Sequence, residues 1–159
     1  KNVGIGFTSQ GFDESIPYKI LKENIDHKTQ FIFEGIDKNK LIGDYGLVMG
    51  GAAGFEIDRA DKKLGTPQNA ILLASAQDFS DAYQHAIEEV IAMNPDEGGS
   101  SNKSVRSDII YLKKLNGGAV FSVGSISWCG SLSYNNYDNS ISIMTENILR
   151  KFCSQEPLP

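Results

Sequence analysis

Short apolar runs separated by polar loops recur along the chain and predict β-strands. The clearest run is AILLA at Ala70–Ala74, which contains no polar residue. A continuous apolar run is typical of a strand covered on both faces, and it favours a largely parallel sheet flanked by helices. Weaker runs predict further strands at Val3–Thr8, Phe31–Phe33 and Gly46–Met49.

Two stretches have the apolar spacing of amphipathic helices. Between Ser80 and Met93, apolar residues recur every three or four positions, and Asn94-Pro95 would end the helix. The residues of this stripe are Tyr83, Ala86, Ile87, Val90 and Ile91. Ser140–Phe152 predicts a second helix, in which Glu146 and Arg150 form an i, i+4 pair on the exposed side.

A hairpin and a polar aromatic loop are predicted in the last third of the chain. Asn116-Gly117 lies between two apolar runs and favours a tight antiparallel turn. The following loop, Ser125–Asn139, combines aromatic and amide side chains and has no charge before Asp138. This composition suits a small neutral ligand or a subunit contact. The polar, glycine-rich stretch Asp96–Ser107 predicts a long loop, mobile or ordered by a partner.

This order of elements predicts the fold class. Strands alternating with helices, followed by a hairpin and a last helix, indicate a three-layer α/β domain with a mostly parallel sheet. The chain has 159 residues, 40% of them hydrophobic, so residues 1–159 are expected to form one domain or part of one. Because it begins at Lys1 and enters a strand-like run at once, we expect a fragment of a longer polypeptide.

Charge and cysteine content exclude several classes of function. The net charge of -5 and the pI near 5.0 argue against nucleic acid as a partner. No apolar run has the length of a membrane span, so we expect a cytoplasmic protein with no membrane partner. Cys129 and Cys153 form no C-x-x-C motif, and the two histidines form no metal-binding pattern.

Glu56 is the first candidate for chemistry. It follows three glycines and two alanines in GGAAGFEIDRAD (residues 50–61), where the backbone can come close to a ligand and a carboxylate can accept a proton. The alternative is a salt bridge with Arg59 or a cap of a short turn. Asp58 and Asp61 are weaker candidates of the same kind. No Lys-Ser/Thr pair follows the glycines, so this is not a phosphate-binding loop.

Two neighbouring residues of the aromatic loop are further candidates. Cys129 would need a histidine as base to act as a nucleophile, and nothing links His27 or His85 to this loop, so a small buried hydrophobic role is favoured. Trp128 is either the wall of a pocket or part of the core.

Several long strings resemble one protein family. In chain order they are GFTSQGFDES (6–15), IFEGI (32–36), LIGDYGLVMGGAAGFEIDRAD (41–61), LGTPQNAILLAS (64–75) and GGAVFSVGSISWCGSLSYNNYDN (117–139). They resemble the C-terminal region of the large (beta) subunit of N,N-dimethylformamidase and its relatives. The resemblance covers nearly the whole chain.

The resemblance implies a bacterial amidohydrolase. Such an enzyme hydrolyses dimethylformamide or a related small amide to an amine and a carboxylate, in an assembly of a small subunit and further copies of the large subunit. The resemblance also implies a glutamine amidotransferase-like fold. The family's iron is held by two tyrosines and a carboxylate, which are expected upstream. The resemblance therefore implies that this chain contributes no metal ligand. It also implies that the isolated fragment has no activity.

The same resemblance assigns roles to three residues. Glu56 would be the catalytic carboxylate close to the metal-bound water, and Trp128 and Asn136 would bind substrate by shaping the amide pocket. Two alternatives stay open. The chain could support assembly without taking part in catalysis, with its aromatic loop as a subunit contact, or Cys129 could serve a cysteine hydrolase.

Overall fold

Antiparallel strands make up most of the regular structure. The computed structural model describes residues 3–87, 90–91 and 96–159. Its strands are β1 (Gly6–Ile16), β2 (Lys19–Ile20), β3 (Ala53–Arg59), β4 (Ile71–Ala76), β5 (Gln84–Ile87), β6 (Val90–Ile91), β7 (Ser107–Lys113) and β8 (Ala119–Ser122). Its helices are α1 (Ser127–Ser131) and α2 (Ser140–Cys153), with 3₁₀ turns at Lys22–Asn24, Gln30–Phe33, Lys62–Leu64 and Tyr134–Tyr137.

The described strands form two four-stranded sheets, in the orders β3-β1-β5-β6 and β2-β4-β7-β8. Every pairing within them is antiparallel. The prediction of a three-layer, mostly parallel α/β domain is therefore wrong, as is the glutamine amidotransferase-like fold. The AILLA run lies largely in β4, between β2 and β7. A continuous apolar run reports that a strand is covered on both faces, but it does not report the direction of its neighbours.

The predicted helix over Ser80–Met93 is also wrong. Gln84–Ile87 and Val90–Ile91 pair as β5 and β6, while residues 88–89 and 92–95 lie outside the described part. β5 also pairs with β1, and a bridge joins Gln84 to Gly98. The pairing with β1 and the bridge to Gly98 join residues that are far apart in the chain, so tertiary pairing overrides the helical pattern.

Two short strand predictions fail and one longer one holds in part. Phe31–Phe33 lies in the 3₁₀ turn Gln30–Phe33, and the stretch predicted at Gly46–Met49 runs into a turn over residues 47–50. The strand predicted at Val3–Thr8 corresponds to the beginning of β1, which starts at Gly6 and continues to Ile16. Three or four apolar residues in a row do not distinguish a strand from a buried turn.

The hairpin is confirmed, although its turn is longer than predicted. β7 and β8 pair antiparallel from Ile110–Ser122 to Lys113–Ala119. The connecting loop spans residues 114–118, and within it only Gly117 has φ in the left-handed region, at 91°. A tight primed turn would require positive φ at both central residues, including Asn116.

The last predicted helix is confirmed as α2. The Asn139 side chain caps it by accepting a hydrogen bond from the Ser142 backbone N–H at 2.9 Å. Its apolar side buries Ile141, Met144 and Ile148 in the core. On the exposed side, the predicted pair forms, with Arg150 Nη2 at 2.6 Å from Glu146 Oε1.

The main core contains residues from both sheets and α2. Tyr18, Ile57, Tyr83, Tyr111 and Met144 are among its fully or nearly fully buried members. The loop after β6 is tied to the same body, because Asp81 Oδ1 accepts hydrogen bonds from the Ser100 N–H and hydroxyl at 3.0 Å and 2.6 Å. Ser100, in the predicted loop, is thus held by the chain itself.

Candidate functional site

Strand β3 carries two carboxylates on one face. Glu56 is exposed and Asp58 is half-buried, whereas Ile57 between them and Arg59 beyond them are buried on the opposite face. This alternation follows from the two-residue period of a strand. Both acidic side chains line a groove of about 390 Å³.

The free edge of β3 is fastened to the segment that follows β8. The Asp58 N–H donates to the Gly124 carbonyl at 2.8 Å. The Ser125 hydroxyl accepts from the Gly54 N–H and donates to the Gly54 carbonyl, both at 2.8 Å. These bonds place the start of the predicted aromatic loop beside Glu56. The two segments that contain the strongest sequence signals therefore build one groove.

The remaining wall of this groove is mostly apolar. Glu56 and Asp58 are its charged lining residues, and no basic side chain lines it among the residues that the structure describes. The apolar members are Val3, Ile5, Phe121, Val123 and Ile126, and the small ones are Ser122, Gly124 and Ser125. A groove of this kind suits a small neutral or cationic ligand better than an anion. Cavities of similar or larger volume lie elsewhere, but Glu56 lines none of those described.

The environment of Asp58 favours the protonated form of its carboxyl group. Partial burial raises the pKa of the Asp58 carboxyl above its ordinary value, and the negative charge of Glu56 raises it further. A carboxyl with a raised pKa beside an exposed carboxylate is a common arrangement at sites of proton transfer.

The raised pKa of Asp58 predicts how stability depends on pH. The folded chain binds this proton more tightly than the unfolded chain, so the ionised carboxyl costs stability at neutral pH and costs none in acid, where both states are protonated. Asp58→Asn should therefore raise the melting temperature at about pH 7 and leave it nearly unchanged at about pH 3. Thermal melts of the two proteins across this range measure the effect; an equal shift at both pH values would contradict it.

Glu56 does not form the salt bridge with Arg59 that was its alternative role. Arg59 instead pairs with Asp61, with Nη2 at 3.0 Å from Oδ2, and its Nη1 lies 3.0 Å from His85 Nε2. The Glu56 carboxylate is thus not paired with Arg59 and lines the groove.

Trp128 lies in the core, directly behind the groove. Its side chain is only 4% exposed, its ring meets Tyr18 and Phe121 edge to face, and its Nε1–H donates to Thr145 Oγ1 at 3.2 Å. Phe121 lines the groove and Trp128 does not. Its predicted contact with substrate remains a prediction, and its packing role is visible in the structure.

Asn136 is exposed in the 3₁₀ turn Tyr134–Tyr137, within a short left-handed stretch. Asn135, Asn136 and Tyr137 have φ of 50°, 53° and 67°. Asn136 does not line the groove that contains Glu56. The structure of this chain therefore does not gather Glu56, Trp128 and Asn136 around one cavity, and substrate binding by Asn136 stays a prediction.

Cys129 is exposed, so the prediction that it is a small buried hydrophobic residue is wrong. His85 is engaged elsewhere, since its Nδ1 lies 3.1 Å from Glu97 Oε2 and its Nε2 faces Arg59. No hydrogen bond joins Cys129 to a histidine within the described residues. Cys129 and Cys153 are both free thiols.

Two negative findings apply to residues 3–87, 90–91 and 96–159. No three His, Cys, Asp or Glu side chains are placed to hold a metal ion. None of the helices in these ranges has the length and apolar content of a membrane span.

Comparison with known proteins identifies the family. Residues 1–139 match the family described as N,N-dimethylformamidase beta subunit-like, C-terminal. The chain belongs to this family. The resemblance in the sequence strings is thus confirmed, and the Glu56 groove is built entirely from residues of the matched dimethylformamidase beta subunit-like region.

Two curated relatives of this family are similar along almost the whole chain. The N,N-dimethylformamidase beta subunit of Paracoccus aminophilus is 46% identical over 156 residues, and that of Alcaligenes sp is 45% identical over the same length. Each alignment covers 98% of this chain and 20% of the relative. The chain therefore spans about a fifth of the length of these relatives.

Two features of the groove were missed or given little weight by sequence reasoning. Asp58 shares a face with Glu56, and an alternating strand pattern from Phe55 to Arg59 would have indicated this. No local sequence pattern indicated that Phe121 lines the groove, because its position there depends on how the hairpin packs against β3.

Proposed function

We propose that this chain is the C-terminal part of an amidohydrolase large subunit, which hydrolyses small N-substituted amides such as dimethylformamide to an amine and a carboxylate. The observation that carries the proposal is Glu56, a carboxylate outside any ion pair of the described residues, exposed on a groove with apolar walls. The names of the two relatives support the same reaction.

Glu56 is the catalytic carboxylate in this proposal. It accepts a proton from the attacking water and returns it to the nitrogen of the departing amine. Asp58, whose raised pKa keeps it protonated to higher pH, lies on the same face of β3. The apolar side of the groove accommodates the N-alkyl groups of a small neutral amide.

Iron remains part of the proposal as a cofactor of the whole enzyme, with ligands outside this chain. Among the described residues, no cluster of three His, Cys, Asp or Glu side chains is placed to hold it. The isolated chain is expected to be inactive.

The charge of the groove predicts substrate preference in the full-length enzyme. Two carboxylates without a basic side chain should disfavour an amide that carries its own carboxylate. We expect kcat/KM for such an amide to be at least about tenfold below that for a neutral amide of equal size. Release of amine from both substrates provides the measurement. Equal values, or no hydrolysis of any small amide, would refute the proposal.

The second candidate is a role in assembly. The aromatic loop and the adjacent turn expose Leu47, Tyr134 and Tyr137 to 83%, 51% and 66%. The Leu47 N–H donates to the Gly130 carbonyl at 3.0 Å, so the two segments are neighbours. Exposed apolar and aromatic side chains are typical of subunit contacts. The partners proposed for this surface are the small subunit and further copies of the large subunit.

A further inference from the structure

We infer that Tyr83 is a positioning residue for Glu56. It holds Phe55 in a left-handed backbone conformation and thereby orients the Glu56 side chain. The inference rests on the proposed function of Glu56 as the catalytic carboxylate. Tyr83 itself touches neither the groove nor, by this inference, the substrate. It acts through the backbone of the residue that precedes Glu56.

The backbone between β1 and β3 is irregular at this point. Gln10 pairs with Glu56, but the next pair along the ladder joins Ser15 to Gly54. Residues 11–14 of β1 therefore face Phe55 alone across the ladder. A bulge of this kind bends a strand and redirects a side chain, and bulges are enriched next to active sites.

Phe55 is strained within this bulge. Its φ is 63°, in the region that favours glycine and that a bulky aromatic residue rarely adopts. Such a conformation persists only where the surrounding structure enforces it, and it occurs preferentially at functional sites. The residue that follows the strained position is Glu56.

The Tyr83 hydroxyl enforces the conformation. It accepts a hydrogen bond from the Phe55 N–H at 2.7 Å and donates one to the Glu14 carbonyl at 2.5 Å, so it bridges both sides of the bulge. The side chain is fully buried. Burial raises the pKa of Tyr83 to about 12, which keeps the phenol protonated and able to donate at all ordinary pH values.

Gly11 makes room for this ring. A Cβ atom at Gly11 would lie 2.5 Å from Tyr83 Cδ2 and 2.6 Å from the Ala82 carbonyl oxygen, so no other residue fits there without displacement. The Phe55 ring in turn meets Phe12 edge to face, with ring centroids 5.8 Å apart. The bulge, its glycine and the buried phenol thus form one unit beside Glu56.

Tyr83→Phe in the full-length enzyme removes only the bridging oxygen. Without it, Phe55 can relax to negative φ and turn Glu56 away from the reacting atoms. We expect kcat to fall by about tenfold or more, with KM changed by less than about twofold, because misorientation of a catalytic group affects the chemical step. Tyr111→Phe is the matched control. Tyr111 is equally buried, but its hydroxyl has no hydrogen-bond partner among the described residues, so kcat should not change.

The double variant Phe55→Gly with Tyr83→Phe tests the route through the backbone. Glycine at position 55 adopts positive φ without strain, so the conformation no longer needs the Tyr83 hydroxyl. The double variant should therefore have a kcat within about threefold of that of Phe55→Gly alone. If the two losses simply add, Tyr83 does not act through Phe55 and the inference is overturned. Unchanged kcat in Tyr83→Phe would overturn it as well.

Failure of the inference can be told apart from failure of the proposed function. If Glu56→Gln is inactive while Tyr83→Phe is fully active, only the positioning role is wrong. If Glu56→Gln is itself active, the proposed function is wrong. If Tyr83→Phe does not fold, the variants Phe55→Ala and Phe55→Gly provide a second test. Both remove the aromatic ring, but only alanine retains the energetic cost of positive φ at position 55. A lower kcat in Phe55→Ala than in Phe55→Gly supports the inference, and equal values overturn it.

Discussion

Replacing Glu56 with glutamine in the full-length enzyme is expected to lower kcat for a small neutral amide by about 100-fold to 10,000-fold. Glutamine keeps the shape and polarity of the side chain but cannot accept the proton of the attacking water. Since Glu56 is exposed and makes no ion pair among the described residues, folding should be unaffected. Amine release at saturating substrate gives kcat, and light scattering gives the size of the assembly.

Glu146→Gln is the control for this experiment. Glu146 is an exposed carboxylate of α2, whose pair with Arg150 contributes little to stability, so turnover should match that of the unchanged enzyme. If Glu56→Gln keeps its turnover but the assembly changes size, the chain supports assembly instead of catalysis. Loss of turnover after thiol modification of a Cys153→Ser variant, with Glu56→Gln fully active, would favour Cys129.

Trp128→Ala is expected to cost about 3–5 kcal/mol of stability, the cost of removing a large aromatic side chain from a packed core. The side chain is 4% exposed and contacts Tyr18 and Phe121 edge to face. Its loss would leave a cavity and leave Thr145 Oγ1 without the indole N–H. Hydrogen exchange of the β8 and α2 amides in the full-length protein measures this local loss.

Two controls separate packing from substrate binding by Trp128. Leu115→Ala changes a fully exposed side chain in the hairpin loop and should alter stability by less than about 0.5 kcal/mol. Trp128→Phe keeps most of the packing and should cost less than the alanine variant. If Trp128→Ala leaves exchange unchanged but raises KM for the amide, Trp128 is a pocket wall, as its predicted substrate role requires.

Local signals predicted those elements whose stabilisation is itself local. The α2 helix is encoded by its apolar spacing, its Asn139 cap and the Glu146–Arg150 pair, all within a few residues of one another. The β7–β8 hairpin is likewise a contact between neighbouring segments. Each prediction needed only residues that are close in the chain.

The predictions that failed depended on distant partners. The AILLA run correctly indicated a buried strand, but its antiparallel neighbours, β2 and β7, come from distant parts of the chain. The stripe from Tyr83 to Ile91 fits a helix by spacing, yet β5 pairs with the distant strand β1 as well as with the neighbouring strand β6. In both cases the deciding interaction is a backbone ladder, which side-chain periodicity does not specify.

The amino-acid sequence by itself determined the family and a carboxylate, Glu56, as the first candidate for chemistry, because these depend on residue identity and order. Only the tertiary structure decided that Asp58 and Phe121 share a groove with Glu56, and that Trp128 lies behind its wall. It also placed the Tyr83 hydroxyl on the strained Phe55. These relations join β1, β3, β8 and the segment before β5, and chain folding alone brings such distant segments within hydrogen-bonding and packing distance.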